Sequence, residues 1–131
     1  MITIDTSAFI AVLRGEADSD AYLVALNAAE AVQLSAATYV ETGIVVDTTN
    51  DPVISGRFDQ LLAELDAEIR DVTARQARLA RDAYRSYGKG SGHPARLNYG
   101  DCFAYALATE TRTPLLFKGA DFSHTGVASV L

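Results

Sequence analysis

The chain has 131 residues, 49% of them hydrophobic, and a net charge of −6. That length fits one domain, residues 1–131, with a core that buries roughly two-thirds of the unfolded surface. No apolar run approaches the roughly 20 residues of a membrane span, the start MITIDTSAFIAVL lacks the basic region of a secretory leader, and the one cysteine excludes an internal disulfide framework and fits a reducing cytoplasm.

In chain order, MITI reads as a buried first strand. Asp5 or Ser7 starts a helix, TSAFIAVLRG, stopped by Gly15. DSDAYLVALNAAE is a second helix and VQLS a short strand. AATYVETGIVVDTT carries Tyr39, Val40, Ile44 and Val45 at helical spacing, against the low helix propensity of its β-branched residues. DPVISGRFDQLLAEL opens with Asp51 as cap and Pro52 at the first helical position. EIRDV is strand-like, TARQARLARDAYRSYG is an Ala/Arg-rich helix ended by Gly88, and KGSGHPARLN is a loop. A helix headed by Asp101, the strand PLLF, the loop KGADFSHTG and a last short strand VASVL complete the chain. Short apolar strands alternating with helices predict an α/β fold with a mainly parallel sheet covered on both faces.

In such sheets the active crevice lies beyond the carboxyl ends of the strands. Asp5 follows MITI and Asp121 follows PLLF; Glu41 lies on the helix after VQLS, and Asp101 heads the apolar run CFAYALA. Each has an ordinary structural role open to it. Asp5 suits an N-cap, Asp121 a turn, and Asp101 a capping box with Asn98. Glu41 is set among Ala37, Thr38, Ile44 and Val45, which predicts partial burial. Brought together, four carboxylates would repel one another unless a cation neutralised them. An all-oxygen set suits Mg²⁺ or Mn²⁺. With only two histidines and no HExxH motif, zinc does not fit. No glycine-rich phosphate loop is present either.

Four stretches, IDTSAFIAVL, TYVETGIVV, LNYGDCFAYALA and PLLFKGADFSHT, resemble the PIN-domain ribonucleases. More closely, they are similar to the VapC-type toxins of bacterial VapBC toxin–antitoxin modules. The resemblance runs in order across nearly the whole chain, and GDCFAYALA followed by LLFKGxDF is its most specific part. It implies a PIN-like three-layer sandwich, with a central sheet of four to five short strands flanked by helices. It also implies an endoribonuclease dependent on Mg²⁺ or Mn²⁺ and a cognate antitoxin that occludes the site. The family's acids carry over to Asp5, Glu41, Asp101 and Asp121, with Asp5, Asp101 and Asp121 as metal ligands. Glu41 is left as ligand or as the group that orients or deprotonates water. Thr6 and Ser7 match the hydroxyl positions beside the first acid. Ala120 is a departure, since some relatives carry a further acid or Asn there, which weakens a second metal position.

RNA must still approach an acidic protein. Residues 1–69 carry a net −10, whereas residues 70–96 carry +5. Arg78, Arg81, Arg85 and Lys89 in that band are candidate phosphate contacts, although a solvated helix face would look the same. Tyr84, Tyr87 and Tyr99 are candidates to stack bases. His93 and His124 fall in loops, and Cys102, beside an acid, is a poor thiolate. A homodimer is expected, with the apolar surface of AYLVALNAA and DQLLAEL available to a second copy or to the antitoxin. Two other readings remain: a catalytically silent PIN-like binding module, and a metal-dependent small-molecule phosphohydrolase. The second lacks its usual DxD, because DTS follows the first strand.

Overall fold

The computed structural model describes all of residues 1–131. The elements are β1 (Ile2–Ile4), α1 (Thr6–Leu13), α2 (Ser19–Ala28), β2 (Val32–Ser35), α3 (Ala36–Asp47), α4 (Pro52–Glu64), β3 (Glu68–Arg70), α5 (Ala74–Tyr87), α6 (Tyr99–Thr111) and β4 (Leu115–Leu116), followed by a 3-10 turn at Asp121–His124. The four strands form one sheet in the order β3-β2-β1-β4, with every pairing parallel. The chain runs from β1 outward to β2 and β3, then crosses to β4 on the other side of β1. That reversal makes a topological switch point between β1 and β4, where α/β sheets open a crevice.

Alternation along the strands divides the interior in two. Ile2, Ile4, Val32, Leu34 and Leu116 pack with Phe9, Val12, Leu26 and Phe58 from α1, α2 and α4. Leu115 joins the opposite core, with Ala80 and Ala83 of α5 and Ala104 and Ala108 of α6. The two helical layers on either side of a parallel sheet are the expected sandwich. On the α6 side the strands present Thr3 and Gln33, both fully buried. Gln33 Nε2 donates to Thr3 Oγ1 and Thr111 Oγ1, each at 2.9 Å, and Gln33 Oε1 accepts from Arg70 at 3.0 Å. These polar groups are therefore satisfied, as burial requires.

Two sequence expectations change. VASVL does not form a fifth strand; it makes a single bridge, Leu115 to Ser129. The reason is that β4 is only two residues long, and Leu115 alone exchanges backbone hydrogen bonds with the tail, at Ala128 and Val130. In α3 the buried stripe is Thr38, Thr42 and Val46, while Val40 and Ile44 are 55% and 59% exposed. The β-branched run is still helical, because tertiary packing overrides a weak local preference.

Candidate active site

The strands β1 and β2 pass into α1 and α3 with almost no loop, and the junction residues become caps. Asp5 is the N-cap of α1, and its side chain accepts from the Ser7 backbone N–H at 3.0 Å. Ser35 caps α3 in the same way. Asn98 and Asp101 form the capping box of α6: Asn98 Oδ1 accepts from the Asp101 N–H at 2.9 Å, and Asp101 Oδ2 accepts from the Asn98 N–H at 3.0 Å. Capping and a site at the strand ends are thus compatible. The cap fixes one carboxylate oxygen and orients the other.

Asp5 is the most constrained of the acids. It is 2% exposed. Its Oδ2 accepts from the Ser7 N–H and from Ser7 Oγ at 2.6 Å, while Ser7 Oγ in turn accepts from the Lys118 backbone N–H at 2.9 Å. Its Oδ1 is buried with no hydrogen-bond partner. An orphaned buried carboxylate oxygen is costly unless something fills the position. Burial lifts the Asp5 carboxyl to about 7, against the pull of the Ser7 hydroxyl and with the charges of Asp101 and Glu41 adding to the rise.

Asp101 is partly buried and lifted to about 6, first by burial and then by the charges of Asp121 and Glu41, with the Asn98 N–H and Lys89 opposing. Asp101 therefore feels Asp121 on one side and bears on Asp5 on the other. The pKa values rise as crowded acids require, but burial contributes more than charge repulsion. Glu41, half-buried on α3, accepts from Thr6 Oγ1 at 2.6 Å, and Thr6 Oγ1 accepts from Thr42 Oγ1 at 3.0 Å. Asp121 opens the 3-10 turn beyond β4 and is exposed.

The structure brings Asp5, Glu41 and Asp101 into one electrostatic neighbourhood, with Asp121 reaching it through Asp101. No three of the acidic, histidine or cysteine side chains close into a finished metal cage. The donor set nevertheless fits a hard cation: it is all oxygen, it lies at the switch point, and one buried oxygen lacks a partner. Mg²⁺ in particular keeps several waters and needs only one or two carboxylates.

Other candidates separate clearly. Arg78, Arg81, Arg85 and Lys89 are exposed and make no ion pair, whereas Arg70 is engaged by Gln33 and Glu68 and Arg75 by Glu110. Tyr87 packs its ring on His93 and Tyr105, with centroids 4.8 and 5.8 Å away, and is not free to stack a base. Tyr99 is 77% exposed and Tyr84 44%. His93 accepts from the Ala95 N–H through Nδ1 and holds its own loop. The Cys102 thiol, pushed up to about 11 by burial and by Asp101, donates to the Asn98 carbonyl. Sequence reading missed Thr42, Lys118 and Gly100. A Cβ on Gly100 would overlap the Glu41 carboxylate. Lys118 links the β4 loop to Glu16 and Asp18 at 2.9 and 3.0 Å.

The fold and the acidic crevice define a PIN-type α/β protein, and the PIN domain model matches residues 2–128. The chain belongs to the PIN-domain family, within its VapC group. Ribonuclease VapC28 of Mycobacterium tuberculosis and VapC ribonuclease Mb0625 of Mycobacterium bovis are each 57% identical to it over 128 residues, covering 98% of this chain and 96% of theirs. Among solved structures, Mycobacterium tuberculosis VapC20, a sarcin–ricin loop cleaving toxin, superposes with a TM-score of 0.77 at 17% identity, covering 98% of this chain and 97% of that one. A toxin–antitoxin complex from Klebsiella pneumoniae gives 0.74 at 18% identity, covering 100% of this chain and 98% of that one. At those identities the structures speak for the fold.

The raised Asp5 pKa has a signed consequence. The folded protein holds this proton more tightly than the unfolded chain, whose value is 3.8. The stability it contributes is full below that value and is lost as the pH rises through about 7. Asp5→Asn mimics the protonated acid. In chelator, its melting temperature should gain on the parent's as the pH rises from about 5 to about 8. Parallel melting curves across that window would contradict the burial argument.

Proposed function

We propose that this protein is a divalent-metal-dependent endoribonuclease of the VapC type, the toxin of a VapBC-like pair, in which residues 1–131 act as one PIN-like domain in the cytoplasm. The observation that carries the reading is the buried, unpartnered Asp5 Oδ1 at the switch point, with Glu41 and Asp101 beside it. The two relatives at 57% identity bear the name ribonuclease, and a fold neighbour was solved as a toxin–antitoxin complex. No helix is long and apolar enough to cross a membrane.

Asp5, Asp101 and Asp121 would hold Mg²⁺, with Mn²⁺ as a substitute. When bound there, the ion supplies charge neutralisation at the phosphate and a lowered pKa for water. The remaining work belongs to the chain's own groups. Ser7 fixes Asp5 through Oδ2 and leaves Oδ1 buried without a partner. The capping box holds Asp101 by Oδ2. Thr6 holds Glu41 by Oε1, which suits that carboxylate to orient the attacking water or take its proton. No side chain is placed as a covalent nucleophile, since the Cys102 thiol is buried and protonated.

Lys89, whose charge reaches Asp101, is the basic residue best placed to meet the phosphate. Arg78, Arg81 and Arg85 extend that track along α5, and Tyr99 and Tyr84 offer exposed rings for bases. The homodimer and the antitoxin both need apolar surface. The helices α2 and α4 bury Tyr22, Leu26 and Phe58 in the core and pack Leu23, Leu61 and Leu62 against it, and a groove of about 220 Å³ lies beside Leu13, Leu23 and Leu61. A larger apolar groove, about 480 Å³, runs between α3 and α6 beside Val40, Ile44 and Tyr99.

Incubated with total RNA, the purified protein should cleave in Mg²⁺ and not in chelator. Asp101→Asn keeps the helix cap's shape and should lose cleavage by about 10²-fold or more. Cleavage at the parental rate would remove Asp101 from the mechanism and, if it persisted in chelator, the metal as well. The silent-module reading would be favoured only by a parent that itself failed to cut RNA in Mg²⁺.

The basic track is tested on the Asp101→Asn background, where RNA stays intact. Replacing Arg78, Arg81 and Arg85 with Gln should weaken RNA binding and reduce the slope of log affinity against log salt by about 2, as three phosphate contacts are lost. An unchanged slope would return these arginines to a solvated helix face.

A further inference from the structure

Gly100 stands in the first turn of α6, between the exposed Tyr99 and Asp101. Its backbone is ordinary right-handed helix and does not appear among the positive-φ glycines, Gly15, Gly90, Gly92 and Gly119. Nothing in its own conformation therefore asks for glycine, which is the poorest helix former after proline. Its surroundings do. A Cβ built there would run into the Glu41 carboxylate, meeting Oε2 first and then Cδ and Oε1. The other interior helical glycines, Gly43 and Gly56, have open space in the same place.

The carboxylate is tethered by a hydrogen bond. Glu41 Oε1 accepts from Thr6 Oγ1 at 2.6 Å, the short separation of a hydrogen bond to a charged oxygen. Thr6 Oγ1 is itself held by the buried Thr42, which donates to it at 3.0 Å. One side of the Glu41 head is thus fixed by a hydroxyl relay, and the other lies against the bare Cα of Gly100. Moving the head away from a new Cβ would strain the Thr6 bond or require Thr6 to follow.

We infer that Gly100 is a positioning residue: its missing side chain is the seat of the Glu41 carboxylate, which lets α3 and α6 bring Glu41 and Asp101 to the same point. This rests on the reading of Glu41 as part of the active site. The seat itself is a statement about packing and can be tested without activity.

Four metal-free proteins are melted side by side: the parent, Gly100→Ala, Glu41→Ala and the double variant. With Glu41 truncated, Gly100→Ala should raise the melting temperature by about 3 °C, as alanine normally does in a helix. With Glu41 present it should give no gain or a loss. Additive effects of either sign would overturn the inference, because the cost of the methyl group would then have nothing to do with Glu41.

Cleavage of total RNA in Mg²⁺ supplies the second arm. Gly100→Ala should lower the rate about 30-fold in the parent but less than about threefold in a Glu41→Asp background, where the shorter acid stays clear of the new methyl. Equal fractional losses in the two backgrounds would also overturn it. If the parent itself does not cut RNA, the nuclease reading fails, and the melting cycle alone decides the role of Gly100.

Discussion

One carboxylate oxygen sets the terms for the rest of the site. Asp5 ends the central strand β1, is almost wholly buried, and has one oxygen saturated by Ser7 and one with no partner. A carboxylate in that position is either protonated or matched by a cation. The surroundings keep the choice open, lifting the Asp5 carboxyl to about 7 while leaving the Ser7 hydroxyl in place to favour the charged form. A buried carboxylate with an unpartnered oxygen at a strand end is what a cation would satisfy. It is poorly explained as a cap alone, since Asp51 caps α4 equally well from an exposed turn.

The remaining elements act on that oxygen at one remove. Lys118 uses its backbone N–H to hold Ser7, and its ammonium group to tie the β4 loop to Glu16 and Asp18. The helix α6 delivers Asp101 through a capping box, and α3 delivers Glu41 through Thr6 and Thr42. Asp121 arrives on a turn and remains exposed. Asp5, Glu41 and Asp101 are thus held by hydrogen bonds at strand ends and helix starts, whereas Asp121 is exposed and Lys89 bears on Asp101 from solvent. The proposed hydrolysis of a polyanion would use such a division, with the fixed acids holding a cation and the basic residues meeting phosphates.

Much of this was legible in the sequence because strand–helix junctions write themselves locally. MITI followed by Asp5, and PLLF followed by a glycine loop and Asp121, place acids at strand ends by pattern alone. Asn98 and Asp101 announce their capping box by spacing. What could not be read is whatever depends on two distant segments meeting. The α3 helix hides threonines and exposes valine and isoleucine, contrary to its apolar pattern, because Thr42 is needed beside Thr6 and Thr38 lies against the interior. The last segment, VASVL, has the composition of a strand but finds only one residue of β4 to pair with. Gly100 looks like a weak helix residue until the Glu41 carboxylate is seen lying against it. A glycine inside a helical turn was the available signal, but its reason was spatial.

The central claim is that the free oxygen of Asp5 marks the cation position. Crystals grown in Mn²⁺ and measured at the manganese absorption edge test it directly. The account predicts an anomalous peak at roughly 2.0–2.6 Å from Asp5 Oδ1, the range of oxygen ligands to hard cations, with Asp101 in the same coordination sphere or one water away. A Mn²⁺ peak held by other residues, or saturating Mn²⁺ with no peak at Asp5, would contradict it.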